Sequence, residues 1–104
     1  MNIKSKNWTA QIDRMPPSPS FRTYGTVTVP HPGITPVLER DLMQDKSFGL
    51  RLILSFKTTD TITAQVETDK FVEYKEQGPS NVTGVSIYFE GELVHHIDDV
   101  LITH

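Results

Sequence analysis

Several features that define large classes of protein are missing from this chain of 104 residues. It contains no cysteine, which excludes disulfides, zinc–thiolate sites and thiol nucleophiles. No apolar run approaches the ~20 residues that a membrane-spanning helix needs. The N-terminus, residues 1–8, has basic residues but no apolar segment behind them, so it does not have the pattern of a secretory signal. We therefore expect a cytoplasmic protein that makes no membrane contact.

Positive charge is also scarce. The chain has 10 Lys and Arg residues against 13 Asp and Glu residues. The Lys and Arg residues nowhere form a cluster. Nucleic-acid binding is not expected, because its affinity depends on neutralising phosphates. Residues 1–52 carry seven basic and four acidic groups, whereas residues 53–104 carry three basic and nine acidic groups. If the fold keeps these halves apart, the acidic half favours a basic partner or head-to-tail contacts; the alternative is an ordinary solvated surface.

Catalytic sequence motifs are absent as well. The chain has no glycine-rich phosphate loop, no G-x-S-x-G elbow and no H-E-x-x-H motif, and its six glycines are scattered singly. We expect no resident cofactor, and a binding function is favoured over an enzymatic one.

What the chain does contain is period-2 alternation of apolar and polar residues, rich in β-branched and aromatic types. This pattern predicts one all-β domain over residues 1–104, an antiparallel β-sandwich of about seven strands with the general shape of immunoglobulin and fibronectin type III domains. A small closed β-barrel is the alternative. The predicted strands are 7–12, 21–29, 49–57, 61–68, 70–75, 82–89 and 92–102, the last broken near Asp98.

Two hairpins are predicted from loop length and register. A two-residue loop at Glu90–Gly91 pairs Phe89 with Glu92, Ile87 with Val94 and Val85 with His96. A three-residue loop at Thr59–Thr61 pairs Phe56 with Ala64 and Leu54 with Val66. No spacer except 35–46 is long enough for a helical crossover between parallel strands. Residues 36–44 are expected to form a short helix beginning at Pro36 or an irregular edge segment. The predicted core consists of Val27, Val29, Leu50, Leu52, Leu54, Phe56, Ile62, Val66, Val85, Ile87, Phe89, Val94 and Ile102.

The N-terminal strand segment, residues 1–15, is separated from the rest by a proline-rich connector at 16–20. Such a connector is stiff and extended. It either carries the chain between sheet edges or acts as a hinge that lets the first strand pair with a second copy, giving a homodimer by strand exchange.

Two sets of candidate site residues stand out. His96 and Asp98 project to the same side of one strand and are candidate metal ligands, with His95 beside them and a third ligand to come from His31, His104 or another strand. The competing interpretation is a polar outer face of the sheet. Among the aromatic residues, Tyr24 and Tyr88 are candidate ligand-binding residues, because outward rings can stack on a sugar or a base. Pairing with neighbouring strands is the alternative for them.

Residues 97–102, which read IDDVLI, resemble the last strand of jelly-roll carbohydrate-binding modules. The resemblance implies a β-sandwich and carbohydrate binding, but it covers six residues and no site residue is carried over. The favoured hypothesis is a non-enzymatic binding or protein-interaction module with a protein partner or with itself. The alternatives are a small metal- or ligand-dependent enzyme that uses His95, His96 and Asp98, and a carbohydrate-binding module.

Overall fold

A computed structural model of the chain describes residues 3–42, 49–58, 65–78 and 80–103. Across these ranges the secondary structure is β-strand without helix. The strands are β1 (Ser5–Asp13), β2 (Ser20–Val29), β3 (Ile34–Arg40), β4 (Gly49–Thr58), β5 (Thr68–Gln77), β6 (Gly84–Phe89), β7 (Glu92–Ile97) and β8 (Leu101–Thr103).

The strands form two four-stranded sheets that pack face to face. The first sheet has the order β5-β2-β1-β8 and the second has the order β3-β4-β6-β7. The predicted all-β sandwich is therefore confirmed. In the described part of the chain the two sheets share no strand, so the alternative of a closed barrel is not formed.

The core lies between the inner faces of the sheets, where every second side chain is buried. In β2 the alternation is unbroken, with Phe21, Thr23, Val27 and Val29 fully enclosed. Burying one large apolar side chain contributes about 1.5–3 kcal/mol, so this repeated pattern drives the sheets together. The buried apolar residues are Ala10, Ile12, Phe21, Val27, Val29, Ile34, Leu38, Leu50, Leu52, Leu54, Val72, Val85, Ile87, Phe89 and Ile97.

Of the twelve predicted core residues that the structure describes, eight are in this set and four are not. Phe56 and Val94 are only partly buried against it. Val66 is 59% exposed, and Ile102 is 45% exposed on an edge strand, so both were wrongly predicted as core. Ile62 lies outside the described residues.

Two strand pairs are parallel, which the antiparallel prediction did not include. β4 pairs with β6, and β1 pairs with β8. The prediction assumed that a parallel pair needs a helical crossover. Here β5, which belongs to the opposite sheet, lies between β4 and β6 along the chain. A strand in the facing layer therefore serves as the crossover.

Residues 34–40 form the edge strand β3, which corrects both expectations for that segment. Ile34, Pro36 and Leu38 are buried while Thr35 and Glu39 are exposed, so the burial period is two and not 3.6. An edge strand tolerates proline, which lacks the N–H group of a regular ladder. Residues 43 and 44 of the predicted helix lie outside the described residues.

The predicted hairpin after β4 is wrong where it can be examined. The neighbours of β4 are β3 and β6, and Leu54 pairs with Leu38 and not with Val66. Residues 65–67 are not in a strand, while 61–64, which include Ala64, lie outside the described residues.

The hairpin at Glu90–Gly91 is confirmed, with a change of register. Phe89 pairs with Glu92 as predicted, but Ile87 pairs with His95 and Val85 with Ile97. The register shifts by one residue near Val94 because β7 contains a bulge. As a result Ile97 enters the core, and the predicted pairing of Val85 with His96 does not form.

Candidate functional site

The two candidate tyrosines lie on opposite outer surfaces of the sandwich. Tyr24 is in β2 of the first sheet and Tyr88 is in β6 of the second. The guanidinium carbon of Arg22 lies 4.8 Å from the centre of the Tyr24 ring, and that of Arg51 lies 4.6 Å from the centre of the Tyr88 ring. Each ring thus has a cation over one face, and the two rings form no common platform. Ligand binding by Tyr24 and Tyr88 stays a prediction.

The candidate metal ligands are both exposed. His96 Nδ1 lies 2.9 Å from Ser86 Oγ of the neighbouring strand, so its imidazole already has a hydrogen-bond partner. Asp98 follows the end of β7. His31 is in the turn before β3, where its Nδ1 accepts a hydrogen bond from the Gly33 N–H at 3.2 Å.

A third metal ligand was expected from His31, His104 or a neighbouring strand. Among the residues that the structure describes, no group of three or more His, Asp or Glu side chains is arranged to hold a metal ion. His104 lies outside those residues. Metal binding by His96 and Asp98 stays a prediction.

His95 takes part in a contact that the sequence did not indicate. Its ring stacks on Trp8 of β1, with ring centroids 6.4 Å apart and an interplanar angle of 21°. The Trp8 ring lies over Gly25, where an added Cβ would come within 2.5 Å of it, and its Nε1–H donates a hydrogen bond to Ser5 Oγ at 2.9 Å. Trp8 therefore connects the first sheet to β7 of the second sheet.

One side of the sandwich, the β7–β8 flank, consists of residues 92–103 and has two sheet edges. Leu93 is 55% exposed and Leu101 is 52% exposed, in addition to Ile102. Leu93 pairs with Tyr88, which in turn pairs with Ile53 of β4, itself exposed. An apolar row thus continues from the flank across the outer face of the second sheet.

The same flank is acidic. Glu92, Asp98 and Asp99 are exposed on it, and Glu90 is exposed in the adjoining turn. No Lys or Arg occurs anywhere in residues 76–104. Within the described part of the chain, none of these four carboxylates takes part in an ion pair.

The opposite side, the β3–β5 flank, consists of residues 34–40 and 68–77, and three of its four carboxylates, those of Asp69, Glu73 and Glu76, take part in ion pairs. Arg40 Nη1 lies 2.9 Å from Glu76 Oε1, which also accepts a hydrogen bond from the Tyr74 hydroxyl. Burial of the Tyr74 phenol, reinforced by the Glu76 carboxylate, raises its pKa to about 12.

Asp69 makes a second neutralised group on this flank. The Thr28 hydroxyl donates a hydrogen bond to its carboxylate, and Lys6 Nζ lies 3.2 Å away. These two partners lower the pKa of Asp69 below its ordinary value, with the Thr28 hydrogen bond as the larger cause.

Recesses in the described surface do not coincide with the candidate residues. Three recesses have volumes of about 320, 270 and 490 Å³, and none is lined by Tyr24, Tyr88, His96 or Asp98. The largest is lined mainly by apolar side chains, including Pro30, Ile34 and Phe89, together with Ser55 and Glu90. It contains no histidine that could serve as a general base.

Comparison with known proteins adds no family: no protein-family model, no curated protein and no solved structure matches the chain. None of the described segments is a helix that could cross a membrane. The fold and the surface together define the protein as an all-β sandwich with one charge-paired flank and one acidic, apolar flank.

Proposed function

We propose that this protein is a non-enzymatic protein-binding module and that its partner contacts the β7–β8 flank. The observation that carries the proposal is that three apolar side chains are exposed at this edge of the sandwich: Leu93 on the outer face of the second sheet, Leu101 on the outer face of the first, and Ile102 on the side of β8 that faces the second sheet. Single exposed apolar residues are ordinary on a protein surface, but Leu93 continues into the apolar row of Tyr88 and Ile53, and contiguous exposed apolar surface is typical of an interaction site.

The composition of the edge strands also favours the β7–β8 flank as the binding side. An uncovered edge strand is a site for pairing with another chain, and proteins usually protect it with proline or charged residues. β3 has Pro36, and β5 carries five charged residues within ten. β7 and β8 contain no proline, and their one charged residue is Glu92.

The bulge in β7 and the three-residue length of β8 limit regular strand addition on the β7–β8 flank. We therefore expect the partner to be held mainly by side-chain contacts. Half-exposed leucines supply such contacts, because removing their apolar surface from water on binding is favourable.

An enzymatic role has less support. His96 and Ser86 form a pair of the kind that activates a serine nucleophile, and His96 is exposed to solvent, whereas such catalysis uses a site that excludes water. None of the three recesses contains either residue.

Self-association through this flank is disfavoured by charge. Two copies packed flank to flank would bring their carboxylates together without any Lys or Arg from residues 76–104 to pair with them. A different protein is therefore the proposed partner. A homodimer by exchange of β1 stays a separate prediction; in the structure β1 pairs with β2 and β8 of its own chain.

Site-specific photocrosslinking in cells tests the proposal. A photoreactive amino acid is placed at Leu93, at Leu101 or, as a matched control, at Phe71, which is an exposed apolar residue on the other flank. We expect one protein, identified by mass spectrometry, to crosslink from positions 93 and 101 and not from 71. Equal crosslinking from all three positions, or none from 93 and 101, contradicts the proposal.

A further inference from the structure

We infer that the partner segment seated on the β7–β8 flank is a cationic, extended stretch of protein that also carries apolar residues. This inference rests on the proposed function and adds the chemistry of the partner. It is carried by the placement of charge and apolar surface along β7.

The carboxylates lie at both ends of β7. Glu90 and Glu92 are at the hairpin end of β7, whereas Asp98 and Asp99 follow its other end. A six-residue strand is about 20 Å long. An extended partner segment of similar length with a basic residue near each end would therefore reach both acidic pairs.

Exposed apolar side chains adjoin both acidic pairs, while the middle of β7 exposes His95 and His96. Leu93 is exposed next to Glu92, and the row formed with Tyr88 and Ile53 leads away from it over the second sheet. On the adjoining edge, β8 presents Leu101. A purely cationic partner would leave these side chains in water, whereas one that carries both leucine and lysine can cover them and meet the carboxylates.

Other occupants fit this surface less well. A nucleic acid would bring phosphates toward unpaired carboxylates. A second copy would bring its own carboxylates, as described above. A metal ion lacks a group of three ligands among the described residues.

The chain has a built-in reporter for this test, because Trp8 is its only tryptophan and its ring stacks on His95 of β7. The probe is a synthetic capped peptide of alternating lysine and leucine. Its controls are the same peptide with glutamate in place of lysine and with serine in place of leucine. We expect a saturable change in Trp8 fluorescence with the first peptide only. Raising the salt from about 50 to about 300 mM should weaken its binding about tenfold, since screening acts on exposed charges.

Matched variants locate the interaction. Asp98→Asn/Asp99→Asn should weaken binding of the lysine–leucine peptide at least about fivefold, as two charge pairs are lost. Glu39→Gln/Glu67→Gln removes the same net charge away from the flank and should leave binding unchanged. Leu93→Ser should also weaken binding. Circular dichroism verifies that each variant is folded.

Each remaining outcome overturns a defined statement. If both double variants weaken binding equally, the attraction is general and the flank is not the cationic site. If the peptide fails to bind while a partner still crosslinks from position 93, the cationic inference is wrong and the proposed function stands. If peptide binding and crosslinking both fail, both are wrong.

Discussion

The two flanks of the sandwich are both built from β-strands, but they differ in whether their carboxylates have partners. On the β3–β5 flank, most carboxylates have partners: Glu76 binds Arg40 and Tyr74, and Asp69 binds Thr28 and Lys6. On the β7–β8 flank, carboxylates are unpaired and lie beside exposed leucines.

From this difference we expect the two flanks to have different roles, one in stability and the other in binding. Paired charges neutralise an edge and discourage contact with other chains, whereas unpaired charges beside apolar surface are left for a partner. The β3–β5 flank should therefore control how stability depends on pH, and the β7–β8 flank should control binding. The predictions below test this division from the largest expected effect to the smallest.

Loss of a core side chain should have the largest effect, and it should be similar on the two flanks. Leu38 of β3 and Ile97 of β7 are both buried. Leu38→Ala and Ile97→Ala should each lower the free energy of unfolding by about 2–5 kcal/mol. Urea denaturation measures this change. A loss well below this range for Ile97→Ala alone would show that β7 is not held by the common core.

A methyl group on Gly25 should disturb the link between the first sheet and β7. Its Cβ would lie 2.5 Å from the Trp8 ring, so the ring must move. Gly25→Ala should cost about 1–3 kcal/mol by overpacking and should shift the Trp8 emission spectrum as the ring leaves His95. Thr26→Ala on the outer face is the control. An unchanged spectrum in Gly25→Ala would contradict the Trp8–His95 contact.

Alkaline pH should act through the β3–β5 flank. Because the folded-state pKa of Tyr74 is about 12, above the ordinary value of 10, its contribution is complete below pH 10 and is lost as the pH rises toward 12. The thermal midpoint should fall over this range. Tyr74→Phe should reduce that fall, and Tyr24→Phe should not. Equal slopes in wild type and Tyr74→Phe would contradict the assignment.

The smallest expected effect is the change in thermal midpoint when one carboxylate is removed from either flank. Since the pKa of Asp69 is lowered in the fold, its stabilising contribution is present above its unfolded pKa and is lost as the pH falls through the folded one. Asp69→Asn should lower the thermal midpoint slightly at pH 7, and less so in high salt. Asp98→Asn should leave it unchanged. The reverse result would mean that the wrong flank carries the stabilising charge.

Local strand structure was largely predictable from the sequence. Alternation along residues 20–29 and 49–58 identifies β2 and β4 and the inward set that includes Val27, Leu52 and Leu54. The pattern is informative because one face of each strand is buried and the other is not. The break near Asp98 was also predicted, since two acidic residues interrupt the apolar pattern between β7 and β8.

Strand pairing was less predictable, because it depends on contacts far apart in sequence. The parallel pairing of β4 with β6 requires β5 to cross in the opposite sheet, and no local pattern records this. The bulge near Val94 exchanges the roles of His96 and Ile97 through a shift of one residue. β3 was not predicted as a strand, because Pro32 just before it and Pro36 within it suggest an interruption of regular structure.

The candidate site could be predicted only in part. The sequence shows that the second half of the chain, residues 53–104, is acidic and that no Lys or Arg follows Lys75. It does not show that β7 and β8 become sheet edges or that Leu93 and Leu101 lie beside the carboxylates. The Trp8–His95 stack joins residues 87 positions apart and has no local signal.

The most direct test of the division between the flanks is a two-dimensional ¹H–¹⁵N NMR titration of the wild-type protein with the lysine–leucine peptide. The account predicts that amide shifts concentrate in residues 92–103 and leave residues 68–77 unchanged. Shifts concentrated in residues 68–77, or no shifts in 92–103 at saturating peptide, would contradict it.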